Sequence, residues 1–360
     1  MKVVVAMSGG VDSSVAAALL KKEGYQVIGI TLQICPLDEQ TPEEDAARVA
    51  SKLGIPHHVM DFRDIFAQKV IADFCEEYSR GRTPNPCIRC NRYIKFGALL
   101  EKARELGADF VATGHHARTE KDKAKGICLL KKGADHRKDQ SYMLYSLTRE
   151  QLCHTLLPIG NYTKAKVLEM SRELQLPIAN KPESQDICFI PGGDYASFLK
   201  DYVPRAAKPG PVLDEQGSVL GTHRGIMFYT IGQRRGLSIS AGKPLYVIAI
   251  EPERNAIVVG AKEQALGNEL IASGLNWITI ARLAQPITVK AKIRYRHHEA
   301  EATVTPINED RVHVKLTEPQ MAITPGQAIV FYDGDIVVGG GTIESAIRPG
   351  DRVKIGGNVL

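Results

Sequence analysis

The sequence predicts an α/β protein: an amino-terminal doubly wound parallel sheet, then a small β-rich domain and a β-barrel. The chain has 360 residues, which is too many for one hydrophobic core and favours two or three domains. Strand and helix patterns alternate up to about residue 116, as in a parallel sheet with helices on both faces. After about residue 195 the pattern changes to short strands joined by turn residues, which is typical of β-barrels and β-sandwiches.

The alternating half contains four predicted strands and four predicted helices. Strands are predicted at 2–7, 25–34, 57–62 and 108–116, and helices at 11–24, 42–54, 64–79 and 94–107. In the first helix Val15, Leu19 and Leu20 share one face, and Gly24 suits its end. Ligands of such sheets bind beyond the carboxyl ends of the strands, so the segments that follow the strands are the candidate sites.

The second half contains the β-rich segments. They are predicted at 208–223, 244–260, 286–296, 301–316 and 326–343, with a helix-like segment at 261–274. We therefore predict three domains: 1–195, 196–268 and 269–360.

Composition and charge limit the functional class. No run of 18 apolar residues is present, so no membrane-spanning helix is expected. The amino terminus resembles neither a signal peptide nor a transit peptide, which predicts a cytoplasmic protein. The net charge of +5 permits a nucleic-acid partner without requiring one. In a reducing compartment the seven cysteines should be free thiols, metal ligands or catalysts rather than disulfides.

The segment "MSGGVDSS" (7–14) lies between the first strand and the first helix. Gly9 and Gly10 let backbone N–H groups approach a phosphate closely, and the helix N-terminus adds positive potential. Ser8, Ser13 and Ser14 offer hydroxyls. The segment matches neither the Walker loop nor the dinucleotide fingerprint, and it predicts a different phosphate-binding loop. Asp12 is predicted either to bind Mg²⁺ beside a triphosphate or to cap the helix.

The segment "TPNPCIRCNR" (83–92) places Cys87 and Cys90 in a proline-broken loop among basic residues. A four-cysteine zinc site would need a second C-x-x-C, which is absent, although His115 and His116 keep a zinc site open as an alternative. The basic surroundings are expected to lower the thiol pKa and favour the reactive thiolate. Cys188 also lies in a polar loop. The other cysteines are interpreted as packing residues, namely Cys35, Cys75, Cys128 and Cys153.

Several motifs together resemble the tRNA-specific 2-thiouridylase family over residues 3–345. They are "MSGGVDSS", "TPNPCIRCNRYIKF", "ATGHHAR", "KDQSYMLYSL", "SQDICFIPGG", "FYTIGQRRGL" and "IRYRH". The resemblance implies 2-thiolation of the wobble uridine of tRNA. It also implies a PP-loop ATP pyrophosphatase domain, a central β-rich domain and a carboxyl-terminal β-barrel.

The resemblance assigns roles to the cysteines. Cys90 corresponds to the catalytic nucleophile and Cys188 to the persulfide carrier. Many members carry Asp where Cys87 stands, so the general-base role given to that Asp is open here. As an alternative, Cys87, Cys90 and Cys188 could hold a [4Fe–4S] cluster with one open iron.

The resemblance also implies binding residues, a cofactor and partners. ATP is expected to bind at Ala6, Met7, Ser8, Gly9, Gly10, Val11, Asp12, Ser13, Leu32 and Gly114, with Mg²⁺ at Asp12. tRNA is expected to contact Asn85, Pro86, His115, Lys138, Asp139, Gln140, Arg234, Arg294, Tyr295 and Gln327. The sulfur donor would be a cysteine desulfurase or a sulfur-relay protein. Other classes that the sequence leaves open are an amidotransferase-type adenylating synthetase and a non-catalytic tRNA-binding protein.

Overall fold

The computed structural model describes residues 1–34, 42–179, 181, 187–237, 239 and 242–348, and the short strands 354–355 and 358–359. It divides into two compact units. The first comprises Met1–Val70, Cys87–Pro191 and Gly334–Val338, and the second comprises Ile71–Pro86, Gly192–Asp333 and Gly339–Leu360.

The elements are numbered in chain order. The first are β1 (Lys2–Ala6), α1 (Val11–Lys22), β2 (Gln26–Gln33), α2 (Pro42–Leu53), β3 (His57–Asp61), α3 (Arg63–Phe66), α4 (Ala72–Ser79), α5 (Pro86–Arg89), α6 (Leu99–Glu105), β4 (Phe110–Ala112), β5 (Ala117–Asp122), β6 (Ile127–Lys132), α7 (Ser141–Leu144), α8 (Arg149–Cys153), β7 (Thr155–Leu156) and α9 (Lys164–Glu173). The remainder are α10 (Tyr195–Tyr202), β8 (Gly210–Leu213), β9 (Val219–His223), β10 (Tyr246–Glu251), β11 (Ala256–Gly260), β12 (Leu266–Trp277), β13 (Ile287–Lys292), β14 (Ala300–Pro306), β15 (Arg311–Met321), β16 (Ala328–Asp333), β17 (Ile336–Ile347), β18 (Lys354–Ile355) and β19 (Asn358–Val359).

The first unit is built on a five-stranded sheet in the order β3-β2-β1-β4-β7. All its strand pairs are parallel. Its central strand β1 is fully buried at Val3, Val4 and Val5, as expected for a strand covered by helices on both faces. The parallel sheet predicted from the sequence is therefore confirmed. Because β1 and β4 are neighbours, the segments that follow them, 7–10 and 113–116, leave the same edge of the sheet.

The two cysteines at 87 and 90 lie in a helix, so their predicted loop placement is wrong. Helix α5 begins at Pro86, continues through a π-helical segment at Cys90–Ala98 and runs into α6. Proline is tolerated at the first position of a helix, where its missing N–H has no partner in any case. The predicted helix at 64–79 is likewise interrupted by a π-helical segment, Ala67–Ile71. Such π-helical turns occur frequently at functional sites.

The second unit contains a four-stranded sheet and a closed six-stranded barrel. The sheet has the order β10-β11-β8-β9, and the barrel has the order β12-β15-β14-β13-β16-β17, closed by pairing of β12 with β17. The predicted barrel is confirmed. The helix-like reading of 261–274 is wrong, because most of this segment forms β12. Leu270 and Ala272 pair with β15 on one side and β17 on the other, so tertiary pairing overrides the local helix preference.

Two cysteines predicted to be packing residues form a disulfide instead. Cys128 on β6 and Cys153 at the end of α8 are joined, with their Cα atoms 5.3 Å apart. The bond ties α8 to the β5–β6 hairpin. Cys75 is buried as predicted, and Cys35 lies outside the described residues. The expectation that the chain would contain no disulfide is therefore wrong. In the described residues, no helix is long and apolar enough to cross a membrane.

Candidate active site

The phosphate loop connects β1 to α1 and is held by its own serines. Gly9 has φ of +66°, and a Cβ there would lie 2.5 Å from the Pro42 carbonyl oxygen, so the position requires glycine. The Ser13 hydroxyl donates to the Gly10 carbonyl at 3.1 Å and accepts from the Ser8 N–H at 3.2 Å. Gly10 precedes α1 without a side-chain cap. The loop therefore presents backbone donors and the Ser8 side chain, while the Ser13 hydroxyl orders the turn.

The flanking residues assigned to nucleotide binding are Ala6, Met7, Val11 and Leu32. Ala6 ends β1, and Met7 and Val11 are almost fully buried. Leu32 lies on β2, where it pairs with Met60 of β3 and is half-buried. Met7 and Val11 belong to the hydrophobic core of the first unit.

Asp12, in the first turn of α1, is bound by a lysine that is 152 residues away in the chain. The Lys164 ammonium donates to both Asp12 carboxylate oxygens, at 2.7 and 2.8 Å. Burial raises the pKa of Asp12, but the ion pair with Lys164 and the nearby His116 ring outweigh it, so the pKa lies below its ordinary value. Asp12 is thus ionised and already paired. A magnesium ion at this carboxylate would have to displace Lys164. No group of three or more His, Cys, Asp or Glu side chains in the described part of the chain is arranged to hold a metal ion.

The segment after β4 packs directly onto the start of α1. A Cβ on Gly114 would lie 2.5 Å from both the Asp12 carbonyl carbon and the Ser13 nitrogen, so only glycine fits. The next residue, His115, shares a hydrogen bond between its Nδ1 and the Thr113 hydroxyl at 2.7 Å. Burial, with the positive charge of Lys95, holds the pKa of His115 well below its usual value. His115 is therefore a neutral imidazole at physiological pH.

Cys87 and Cys90 do not have the lowered pKa that the basic sequence predicted. Burial raises the pKa of Cys90 to about 12, and the charges of Cys188 and Cys87 add to this, while Lys95 opposes it. Cys87 is solvent-accessible, yet the protein around it also raises its pKa, again against Lys95. Both thiols are protonated at neutral pH in this conformation.

The four arginines around the cysteines explain why that prediction was wrong. Arg80 and Arg82 pair with Glu76 and Glu77. Arg89 and Arg92 lie against the ring of Tyr93, at 6.0 and 5.5 Å. The cation that acts on both thiols is Lys95, which the sequence analysis missed. It follows Cys90 by five residues, and a π-helix of about 4.4 residues per turn brings such positions near the same face.

Cys188 interacts with Cys87 and Cys90, and the three residues form a thiol cluster. Cys188 is exposed, and the charge that it can carry raises the pKa of both Cys87 and Cys90. The residues after it are anchored, because Phe189 is buried and packs edge-on against Phe66 with ring centroids 5.6 Å apart.

The "KDQ" segment (138–140), assigned to tRNA binding, is internally bonded. The buried Asp139 carboxylate accepts from the Gly133 N–H at 3.0 Å and from the Ser141 hydroxyl at 2.8 Å. The Gln140 side-chain oxygen accepts from the His116 N–H at 2.8 Å. Lys138 is half-buried. Asp139 and Gln140 therefore hold the neighbouring chain at Gly133, Ser141 and His116 in place.

Other residues assigned to tRNA binding lie in the second unit. Gln327 donates through Nε2 to the Thr83 carbonyl at 2.8 Å, and so fixes the chain that precedes the half-buried Asn85 and the buried Pro86. Arg294 donates to the Met321 carbonyl at 2.7 Å. Tyr295 lies under the Lys292 ammonium at 6.0 Å. Arg234 is exposed.

Comparison with known proteins decides the family. The family model described as the tRNA methyl transferase HUP domain matches residues 1–192, with a PRC-barrel model at 196–261 and an aminomethyltransferase β-barrel model at 267–343. The protein named tRNA-specific 2-thiouridylase MnmA from Moorella thermoacetica is 54% identical, covering 96% of this chain and 100% of its own length. The protein of that name from Heliobacterium modesticaldum is 55% identical, covering 95% and 92%. The chain belongs to the tRNA-specific 2-thiouridylase family.

Membership of the 2-thiouridylase family confirms the resemblance recognised in the motifs. Two solved structures resemble the chain weakly. A 4-thiouridine synthetase–RNA complex with bound ATP covers 57% of this chain and 51% of its own, at 19% identity and a TM-score of 0.38. An NMN synthetase from Francisella tularensis covers 51% and 66%, at 20% identity and a TM-score of 0.33. Neither likeness is close enough to inform the site.

Proposed function

We propose that this protein carries out ATP-dependent 2-thiolation of the wobble uridine of tRNA. The observation that carries the proposal is that one compact unit contains both a glycine-rich phosphate loop and the thiol cluster with Cys90 and Cys188. Relatives named 2-thiouridylase align with nearly the whole chain, which disfavours an amidotransferase-type synthetase. An intact phosphate loop disfavours a purely tRNA-binding role.

The first step would activate the uridine. Gly9 and Gly114 let neighbouring backbone pack closely around the loop, and the start of α1 supplies a positive dipole for a triphosphate. The uridine O2 attacks the α-phosphorus of ATP, and pyrophosphate departs. The C2 oxygen, itself a poor leaving group, then leaves as part of AMP in the next step. Mg²⁺ would be held mainly by the phosphates, since both Asp12 oxygens already accept from Lys164.

The second step would transfer sulfur from a Cys188 persulfide. In one form, the terminal sulfur attacks C2, AMP leaves with the oxygen, and a Cys188–S–S–tRNA adduct remains. The Cys90 thiolate then attacks the Cys188 sulfur, which forms a Cys90–Cys188 disulfide and releases 2-thiouridine. In the other form, Cys90 attacks first and releases sulfide, which then displaces AMP. Either way the disulfide must be reduced by a dithiol before the next turnover.

The reactive form of Cys90 needs a cation nearby. Burial keeps its thiol protonated in this conformation, and Lys95 is the group that favours the thiolate. We therefore assign Lys95 the role of stabilising the thiolate when Cys90 attacks. Cys87 would be auxiliary, as a polar contact or base near the uridine.

The cysteines as placed do not fit an iron–sulfur cluster. A cluster needs its thiolates gathered as ligands. Cys87, Cys90 and Cys188 interact electrostatically, but within the ranges that the structure describes no three such donors are arranged to hold a metal ion. We derive no step through a cluster. The sulfur donor would be a cysteine desulfurase or a sulfur-relay protein, and the reaction would take place in the cytoplasm.

Analysis of tRNA from a deletion strain tests the proposal. Nucleoside mass spectrometry should show loss of wobble 2-thiouridine, and its return when the gene is supplied on a plasmid. Unchanged 2-thiouridine in the deletion strain, where no second gene of the family is present, would contradict the proposed function.

The two arginines assigned to tRNA should behave differently. Arg234→Ala should weaken tRNA binding and reduce the salt slope by about one, since an exposed arginine can neutralise one phosphate. Arg294→Ala should leave the slope unchanged, because its guanidinium is bonded to the Met321 carbonyl. A salt titration of tRNA affinity measures both. Arg254→Ala is the control, since Arg254 is exposed but paired with Glu251. A slope that is the same for Arg234→Ala and the control would exclude a phosphate contact at Arg234.

A further inference from the structure

His116, in the segment that follows β4, is a buried side chain whose ring nitrogens have no hydrogen-bond partner in the described residues. It is 3% exposed. Burying an unpaired polar group costs free energy, so such groups are rare in native proteins and commonly mark a catalytic role or a missing ligand.

The ring is directed at the phosphate loop. Its Nε2 lies 3.5 Å from Asp12 Oδ1, in the first turn of α1. That distance supports an electrostatic attraction but is too long for a well-formed hydrogen bond. Gly114, two residues earlier, is in contact with the backbone of Asp12 and Ser13. The imidazole is therefore part of the wall around the start of α1.

The backbone holds His116 in this position from both sides. Its N–H donates to the Gln140 side chain at 2.8 Å, and its carbonyl accepts from the Gln140 N–H at 2.8 Å. A Cβ on Gly133 would lie 2.6 Å from the same carbonyl oxygen, so the chain is closely packed there. Because this backbone is fixed, a hydrogen-bond partner for the ring would have to be supplied by a bound ligand.

We propose that His116 is a ligand-contacting residue of the phosphate site, whose ring donates a hydrogen bond to the polyphosphate of a bound nucleoside triphosphate. The ligand would satisfy the unpaired nitrogen and would lie between the imidazole and the uncapped start of α1. Lys164, held on Asp12, places a cationic group beside the same phosphates. The inference rests on the proposed function and adds to it a residue that binds the leaving pyrophosphate.

The test compares His116→Phe with the wild-type protein by calorimetry, using α,β-methylene-ATP with Mg²⁺, inorganic pyrophosphate and AMP as probes. Loss of a hydrogen bond to a charged phosphate should lower the affinity for α,β-methylene-ATP and for pyrophosphate about 10- to 100-fold, and leave the affinity for AMP unchanged. His116→Gln, which keeps an N–H donor, should recover part of the affinity. The thermal midpoint of ligand-free His116→Phe should equal or exceed that of the wild type, because an unpaired polar group has been removed.

A purely structural histidine would give a different pattern. The free variant would then be destabilised, while its affinity for α,β-methylene-ATP would match that of His58→Phe, a control at an exposed position on β3. That result would overturn the inference. An equal loss of affinity for AMP and for pyrophosphate in His116→Phe would also overturn it. Failure of the wild-type protein to bind α,β-methylene-ATP would instead contradict the proposed function.

Discussion

We expect Cys90→Ser and Cys188→Ser each to lower tRNA thiolation by about 1,000-fold or more, whereas Cys87→Ser keeps a measurable rate. Cys188 carries the sulfur and Cys90 attacks it, so neither step has a substitute. Cys87 lies in the same continuous helix as Cys90 but is solvent-accessible. No proposed step forms or breaks a bond at its sulfur. A serine hydroxyl preserves its size and polarity.

The assay uses a cysteine desulfurase and cysteine as the sulfur source, and the proteins are prepared both aerobically and anaerobically. Cys75→Ala is a matched control, because Cys75 is a free, buried cysteine outside the thiol cluster. Iron is quantified in every preparation. Equal loss of activity in the three serine variants, in step with loss of iron, would show that a cluster rather than a persulfide carries the reaction.

Substitution of Asp12 should have the second-largest effect. Asp12→Ala is expected to lower tRNA-dependent pyrophosphate release about 100-fold or more, because it releases Lys164 from the phosphate loop. Ser13→Ala should act in the same direction by loosening the turn, since the Ser13 hydroxyl bonds to Gly10 and Ser8. Pyrophosphate release is measured with saturating tRNA.

Two further variants separate catalysis from folding. Asp12→Asn keeps the shape of the side chain, so its loss of activity cannot be attributed to a cavity. Asp109→Asn is the control, because Asp109 precedes β4 at the opposite end of the sheet and its carboxylate accepts from the backbone N–H of Lys2. Wild-type pyrophosphate release by Asp12→Ala and Ser13→Ala would remove the loop from the proposed mechanism.

Local signals predicted the parts of the fold that depend on neighbouring residues. The buried valines of β1 and the glycines that follow them placed the phosphate loop between a strand and a helix, as observed. The start of α5 was missed because Pro84 and Pro86 suggested a loop, although Pro86 is the first helical residue. The strand β12 was missed because its pairing partners, β15 and β17, follow it in the chain.

Contacts between distant residues explain what was missed in the candidate site. No local pattern predicts that Lys164 binds Asp12, because their 152-residue separation is closed only by the packing of α1 with α9. The same holds for the Cys128–Cys153 bond. The pKa of Cys90 was predicted in the wrong direction because sequence proximity does not show where arginine side chains point or how deeply a thiol is buried.

Single-turnover thiolation by the purified protein tests the central proposal most directly. The protein is loaded with persulfide by a cysteine desulfurase, separated from it, and mixed with unmodified tRNA and ATP, and the digested nucleosides are analysed by mass spectrometry. We predict that 2-thiouridine forms at the wobble position, in an amount limited by the Cys188 persulfide, and only when ATP is present. Absence of 2-thiouridine from fully loaded protein with ATP, or its formation without ATP, would contradict the proposed reaction.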